Sequence, residues 1–401
     1  MQEFTPKEYF QIDIANLAGK DKLTWDERLS WFKENENNLL DLTQEVDKPY
    51  QYYAAVTAYQ KAIAGEVNHH PIALDATWSG LQCLSVLTCD PMSASICNVL
   101  DIGSRADGYT ILYKKIVEKI GHEVDHITRQ TVKEAIMPAF YSSMVAPQRC
   151  FGDYLEAFIE VAEENCPYTW QLNSFLRDAW NPKVESYGWV MPDNFHVHVK
   201  VYNNAIKDFN FLGEDFTFQY RVNAPNPYGR AYSANLAHAT DSLIVREVTA
   251  LAMHNPRQIQ RIRDILAGKG RTSIQFLGNR KNQAMVETLV DLYQKSGFLS
   301  ARVLDYIDEK SIKLIPEDSL VELLSLVPEK PFDLCIVHDS FHVLPNYGND
   351  IRRLYIAQLA KIARSNLLQF ILDQMPIEKV KFNKADPEMW KEIQFSEYAL
   401  S

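Results

Sequence analysis

What this chain lacks narrows the field first. Its six cysteines, Cys83, Cys89, Cys97, Cys150, Cys166 and Cys335, make no Cys-x-x-Cys pair and no Cys/His spacing suited to zinc. That pattern speaks against a zinc module and reads as reduced thiols in a cytosolic protein. No run reaches the roughly 20 apolar residues of a membrane-spanning helix, and the first 30 residues do not read as a signal peptide. Internal repeats, low-complexity tracts and Gly/Ser linkers are missing, so any domains are expected to be interwoven. Positive charge is in short supply: 41 Lys and Arg face 52 Asp and Glu, a net charge of -11. This counts mildly against nucleic acid as a partner, although an acidic exterior can surround a basic cleft.

What is present is apolar mass. The 401 residues are 46% hydrophobic, with 7 Trp, 20 Tyr and 19 Phe, enough for a sizeable core in one large or two to three medium domains. Residues 7–65 read as mostly helical, with a segment opening at Pro49 and stopping at Gly65. Residues 71–80 read as a short apolar strand ending in Asp75 and a turn. Helices are predicted over "GYTILYKKIVEKIG", stopped by Gly121, and over 129–143, with Pro138 late in it. Strong alternation over 195–235 predicts a β-ribbon. Residues 242–325 return to helices, among them a basic piece with Arg257, Arg261, Arg263, Lys269 and Arg271. A β-hairpin follows at "CIVHDSFHVLP" (335–345), then a long helix over 351–375. Mixed elements without a βαβ rhythm imply an α+β fold rather than a doubly wound sheet.

Two carboxylates stand out because each ends or caps an apolar strand, where acidic residues are depleted. Asp75 follows "IAL" and Asp339 follows "CIV" and His338. Two such groups side by side repel unless a cation sits between them, and a hard oxygen set favours Mg²⁺. On the helix beginning at Arg129, Lys133 lies four residues on and shares its face, with Tyr141 two turns further. A guanidinium, an ammonium and a phenol in a row suit a triphosphate with a base or sugar beside it. An ordinary solvated helix with two cations fits the same spacing.

"DATWSGLQCLS" (75–85), "RQTVKEAIMPAFYS" (129–142) and "HDSF" (338–341) resemble motifs A, B and C of the single-subunit RNA polymerases of T-odd phages and mitochondria. Motif A is met by Asp75, Ser79, Gly80, Leu81 and Gln82, and motif B by Arg129, Lys133 and Tyr141. A fourth signature, Asn-x-x-His-x-x-Asp, is met by Asn235, His238 and Asp241, and Tyr109 matches a tyrosine on the helix after motif A. "GKDKLTWDERLSWFKEN", "ILDQMP" and "EYALS" are also similar to family segments.

The resemblance implies a right-hand polymerase palm and fingers lacking its own thumb and N-terminal domain. The implied divisions are a helical palm-associated segment 1–64, palm 65–92, fingers 93–238 and palm 239–401. Within the last, an insertion spans about 252–325 and a foot about 350–401. The resemblance implies that Asp75 and Asp339 hold two Mg²⁺ ions, that Lys133 offsets triphosphate charge and protonates pyrophosphate, and that Arg129 clamps terminal phosphates with help from Lys22. It puts Tyr141, Tyr109 and His238 at the sugar, choosing ribose. The partners implied are a DNA template, an RNA product and NTPs, in the cytoplasm (of a bacterial host, if phage-encoded) and with no membrane. A family A DNA polymerase shares the Asp pair and the Arg/Lys helix, but usually carries Glu where Gly80 stands and Asp-Glu where Asp339-Ser340 stands. An inactive polymerase-like nucleic-acid-binding subunit is the reading from another class. The family's Asp-x-x-Gly-Arg motif is not found in this sequence. A second polypeptide is therefore expected to supply it, together with the thumb, as in the split heterodimeric enzymes of N-four-like phages. Ser142 follows Tyr141 where the family has glycine, and Pro138 is expected to kink the helix near the sugar.

Overall fold

Capping residues and punctuation set the first helices. The computed structural model describes residues 1–229, 231–269 and 280–401. Helices α1 (Pro6–Ala15) and α2 (Trp25–Asn35) each open on a capping box, Thr5 with Glu8 and Thr24 with Glu27. Between them Gly19, at φ 76°, ends a short π-helical stretch in a conformation that suits glycine. α3 (Pro49–Ile63) opens on its proline. Strand β1 (Ile72–Asp75) leads to α4 (Ser79–Thr88), α5 (Pro91–Ile96), α6 (Gly108–Ile120), α7 (Arg129–Phe140), α8 (Val145–Phe151), α9 (Leu155–Asn165) and α10 (Pro167–Asp178). Strands β2 (Ser186–Val190), β3 (His196–Lys200), β4 (Tyr202–Phe211) and β5 (Glu214–Asn223) follow. Then come α11 (Tyr232–Ala252), α12 (Pro256–Leu266), α13 (Arg280–Ser296), α14 (Glu317–Ser325), β6 (Leu334–Val337), β7 (Ser340–Val343), α15 (Gly348–Arg364), α16 (Leu367–Leu372) and α17 (Trp390–Ile393). The α+β reading agrees with this mixture.

One antiparallel sheet, ordered β1-β7-β6, organises the centre. Ile72 and Leu74 lie opposite Val343 and Phe341, and all four are buried. Each such side chain contributes roughly 1.5–3 kcal/mol. Beneath them Phe341 meets Tyr355 of α15 edge-on, with ring centroids 5.5 Å apart. α4, α11 and α15 pack against one another. The other face of the sheet carries Ala73, Asp75, Ser340 and His342 and stays open. The expected hairpin forms and is buried only along β7: on the edge strand β6, Cys335 and Val337 are exposed.

Several boundaries differ from expectation. The ribbon expected over 195–235 is two separate two-stranded sheets, β2-β3 and β4-β5, and Tyr232 already begins α11. α7 runs through Pro138 but stops at Phe140. The long helix expected over 351–375 breaks at Ser365 and Asn366, where the Asn366 N–H is drawn to the Ser296 carbonyl at 2.7 Å. The segment read as an insertion joins the common core through Ile259, Ile262, Leu289, Phe298, Val303 and Leu320. Buried Glu247 of α11 fastens it, accepting from Ser300 Oγ and the Ala301 N–H and pairing with Lys361. On α12 the face opposite Ile259 and Ile262 exposes Arg257 and Arg263, with Lys269 beyond its end, while Arg271 lies outside the described residues. All six cysteines are unpaired, and no described helix is long and apolar enough to cross a membrane.

Candidate active site

Backbone pairing joins the two aspartates that sequence reading singled out. Asp75, last residue of β1, lies opposite Ser340, and the Ala76 N–H donates to the Asp339 carbonyl at 3.0 Å. Asp339 sits in the two-residue turn between Val337 and Ser340. His338, before it, takes φ 58°, a left-handed conformation that His adopts more readily than most side chains. The outer edge of β1 is closed as well: Asp13 of α1 accepts the Ala73 N–H at 3.0 Å, and the Asp75 carbonyl accepts the Ser401 N–H at 2.9 Å. Sealing an edge in this way holds the strand in register. Gln82 ties the same region together, donating to Thr77 Oγ1, the Cys97 carbonyl and the Ala399 carbonyl, and accepting from Tyr355.

Asp75 opens into a cavity of about 430 Å³, shared with Asp13, Asp21, Lys22, Arg105 and His342. Lys22 therefore reaches the site, though its ammonium is paired with Asp21 at 2.6 Å. Burial drives the Asp13 carboxyl up to about 7. The Ala73 N–H partly opposes that rise and the charge of Asp75 adds to it. Sequence reading missed Asp13, because nothing local marks a helix carboxylate that will face a strand.

A second group gathers around α7. Thr128 caps this helix, so Arg129 and Lys133 leave it on one side. Both approach the Tyr109 ring, at 5.4 and 5.8 Å from its centroid. Tyr109 itself packs on Trp78 at 4.4 Å. The Arg129 guanidinium is engaged by Asp107, Nε to Oδ2 at 2.7 Å and Nη2 to Oδ1 at 2.9 Å. Burial raises the Asp107 carboxyl, yet the bonds from Arg129 and Thr110 hold it below its ordinary value. Asp107 was not foreseen, and a phosphate would have to share or displace it. Lys133 is exposed and has no ion-pair partner among the described residues.

Tyr141 stands between the two groups. A β-carbon on Gly80 would lie 2.4 Å from the Tyr141 hydroxyl, so the ring rests where only glycine leaves room. His238 of α11 meets the Tyr141 ring at 5.3 Å. Burial pushes the Tyr141 phenol up to about 12, with Cys83, Asp241 and Asp339 adding, so it remains a hydrogen-bond donor at neutral pH. Tyr109 is raised further by burial, and Asp339 again contributes. Asp241, two α-helical steps of three beyond Asn235, is pushed up to about 6 by burial and then by the charge of Asp339. The charge of Asp339 is thus felt by Tyr109, Tyr141 and Asp241, across the gap from the strands to the helices.

Residues 5–179 match the family DNA-dependent RNA polymerase. The likeness covers the part of the chain that holds Lys22, Asp75, Tyr109, Arg129, Lys133 and Tyr141; His238 and Asp339 lie beyond it. A probable DNA-directed RNA polymerase of Agaricus bitorquis is 29% identical over 166 residues, 35% of this chain and 15% of the relative. The DNA-directed RNA polymerase of Enterobacteria phage K11 is 30% identical over 141 residues, 32% of this chain and 15% of the relative. T7 RNA polymerase of Escherichia phage T7 is 30% identical over 127 residues, 27% of this chain and 14% of the relative. The matched part is thus similar to DNA-directed RNA polymerases, two of these relatives being phage enzymes. The chain spans about one seventh of the length of these curated relatives.

Asp75 and Asp339 offer a metal carboxylate oxygens, with His342 also lining the cavity. Among the described residues there is no group of three or more His, Cys, Asp and Glu side chains arranged to hold an ion. Two carboxylates, one ending β1 and one in the β6–β7 turn, fit Mg²⁺, which keeps several waters and is completed by substrate phosphates. They do not fit zinc, which takes nitrogen and sulfur ligands in a closed set.

Proposed function

We propose that this chain is the catalytic subunit of a DNA-directed RNA polymerase, extending an RNA 3′ end on a DNA template. The β1–β7 register, which pairs Asp75 with Ser340 and brings the Ala76 N–H onto the Asp339 carbonyl, is the observation that supports this reading. Asp75 and Asp339 would hold two Mg²⁺ ions, which would supply Lewis-acid stabilisation of the charge that develops on the phosphoryl oxygens. Lys133, free to reach forward, offsets charge on the triphosphate and delivers a proton to pyrophosphate. Arg129 exchanges Asp107 for the terminal phosphates, for which its planar fork is suited. Lys22 assists from the cavity beside Asp75. Tyr141, backed by Gly80, lies against the sugar with Tyr109 and His238, and leaves space for a 2′-hydroxyl. Positioning and electrostatics supply most of the rate, as in other phosphoryl transfers.

The chain forms palm and fingers, and a second polypeptide contributes the thumb and the Asp-x-x-Gly-Arg motif, as in the split enzymes of N-four-like phages; its setting is phage transcription in a bacterial cytoplasm. Primer extension on an RNA–DNA scaffold tests this, with the chain alone and with the polypeptides that co-purify with it, and with rNTPs or dNTPs. RNA synthesis that depends on the co-purifying polypeptides is expected. Preferential dNTP incorporation would favour a DNA polymerase, and no extension in any combination would favour an inactive binding subunit.

A further inference from the structure

The turn that ends α7 contains a device with no assigned role. Ser142 follows Tyr141 and takes φ 66°, the left-handed region in which a β-carbon is strained, and it is fully buried. Something must hold it there. Its hydroxyl donates to Asn173 Oδ1 of α10 at 2.7 Å. Asn173 is also buried, and its Nδ2 donates to the Ala139 carbonyl at 2.7 Å. The orientation of the amide is settled by chemistry: a carbonyl only accepts, so the NH₂ group faces Ala139 and the oxygen faces Ser142. One side chain on α10 thus grips residues on both sides of Tyr141. Ser233 of α11 adds a third hold, donating to the Phe140 carbonyl at 2.7 Å. α7 ends at Phe140, so the carbonyls of its last turn have no helical N–H to meet, and these side chains satisfy two of them.

We infer that Asn173 and Ser142 form a clamp that holds the Tyr141 ring against Gly80 and so sets the sugar selectivity of the nucleotide site. The inference rests on the proposed polymerase reading. Neither residue reaches a nucleotide; both are positioning residues acting through Tyr141. The clamp replaces the backbone freedom a glycine would have at position 142 with a fixed, strained corner. A rigid corner keeps the phenol at one distance from the sugar, whereas a loose one lets the ring swing away from Gly80 and admit either sugar.

The test is the ratio of kcat/KM for ATP over dATP in primer extension by the full chain with its co-purifying polypeptides. Ser142→Ala, Ser142→Gly, Asn173→Ala and the double variant Ser142→Ala/Asn173→Ala are compared, each with its melting temperature. Each single variant is expected to lower the ratio about fivefold, the worth of one neutral hydrogen bond. The double variant should lower it no further than Asn173→Ala alone, because the bond is shared. Ser142→Gly accepts the left-handed conformation without strain, so it keeps its melting temperature and remains informative if Asn173→Ala folds poorly. An unchanged ratio in Ser142→Gly and Asn173→Ala, with an active wild type, would overturn the clamp alone. A wild-type complex that extends no primer would overturn the polymerase reading beneath it.

Discussion

The β6–β7 hairpin and the β4–β5 ribbon are both antiparallel pairs of alternating sequence, closed by two-residue turns that use the left-handed region. In the first the turn is His338-Asp339; in the second it is Leu212-Gly213, with φ 53° and 86°. Their surroundings differ. Phe341 and Val343 of β7 are 1% exposed, with α15 beneath them. On the ribbon, Phe209, Phe211, Phe216, Phe218 and Tyr220 share one face and are 39–60% exposed. Their company is each other, Phe209 on Phe216 at 5.6 Å and Phe218 beside Tyr220 at 5.7 Å. Alternation therefore says that a strand has two unlike faces, and says nothing about which face will be covered. The packed hairpin can hold a carboxylate to a fixed position because its neighbours leave it no freedom. The ribbon, a two-stranded element with no cover among the described residues, cannot.

Five substitutions, in four tests, sharpen or break that contrast. The largest effect is expected from Asp75→Asn or Asp339→Asn: RNA synthesis falls by roughly a thousandfold, several kcal/mol of transition-state stabilisation, with the melting temperature unchanged. Rates near wild type in primer extension would separate the strands from the chemistry. Phe341→Ala should cost about 3–5 kcal/mol of stability in denaturant unfolding, through the lost apolar contact and the cavity it leaves.

Asp13→Asn ranks third, and its effect depends on pH. Buried Asp13 titrates near 7 in the fold against 3.8 for the free group, so between those values the folded state binds the extra proton. Wild-type stability from this group is complete below pH 4 and is lost as pH rises through about 7. Asn keeps an acceptor for the Ala73 N–H and carries no charge. It should match wild type at about pH 3.5 and exceed it by roughly 2–4 kcal/mol at pH 8, read from paired melting curves. Equal curves at both values would mean that the carboxyl is not held off its ordinary titration. The smallest effect belongs to Phe216→Ala on the ribbon, under about 0.5 kcal/mol, since a half-exposed ring leaves no cavity. A cost close to that of Phe341→Ala would show that the ribbon is packed in solution.

Much of the local structure was legible because its causes are local. Pro49 and Gly121 mark helix ends by backbone conformations that need no distant partner. The candidate residues on α7 were legible for the same reason, since three- and four-residue spacings share a helix face. Asp107 and Asp13 were not. Each earns its role by meeting a group far along the chain, Arg129 in one case and the β1 edge in the other. The ribbon was drawn too long: Pro225, Pro227 and Gly229 already break the alternation after Asn223, and Tyr232, which opens α11, packs against Trp180 and Tyr187.

By itself the sequence determined which side chains with chemistry to offer are present, and which short elements carry them, because propensity, capping and periodicity act within a few residues. Only the tertiary structure decided that β1, which ends at Asp75, pairs with the hairpin whose turn holds Asp339, that Tyr141 rests on Gly80, and that Asn173 grips the turn beside it. Those contacts join residues remote along the chain, and they form only when burial of a common core has already offset the entropy of bringing such segments together.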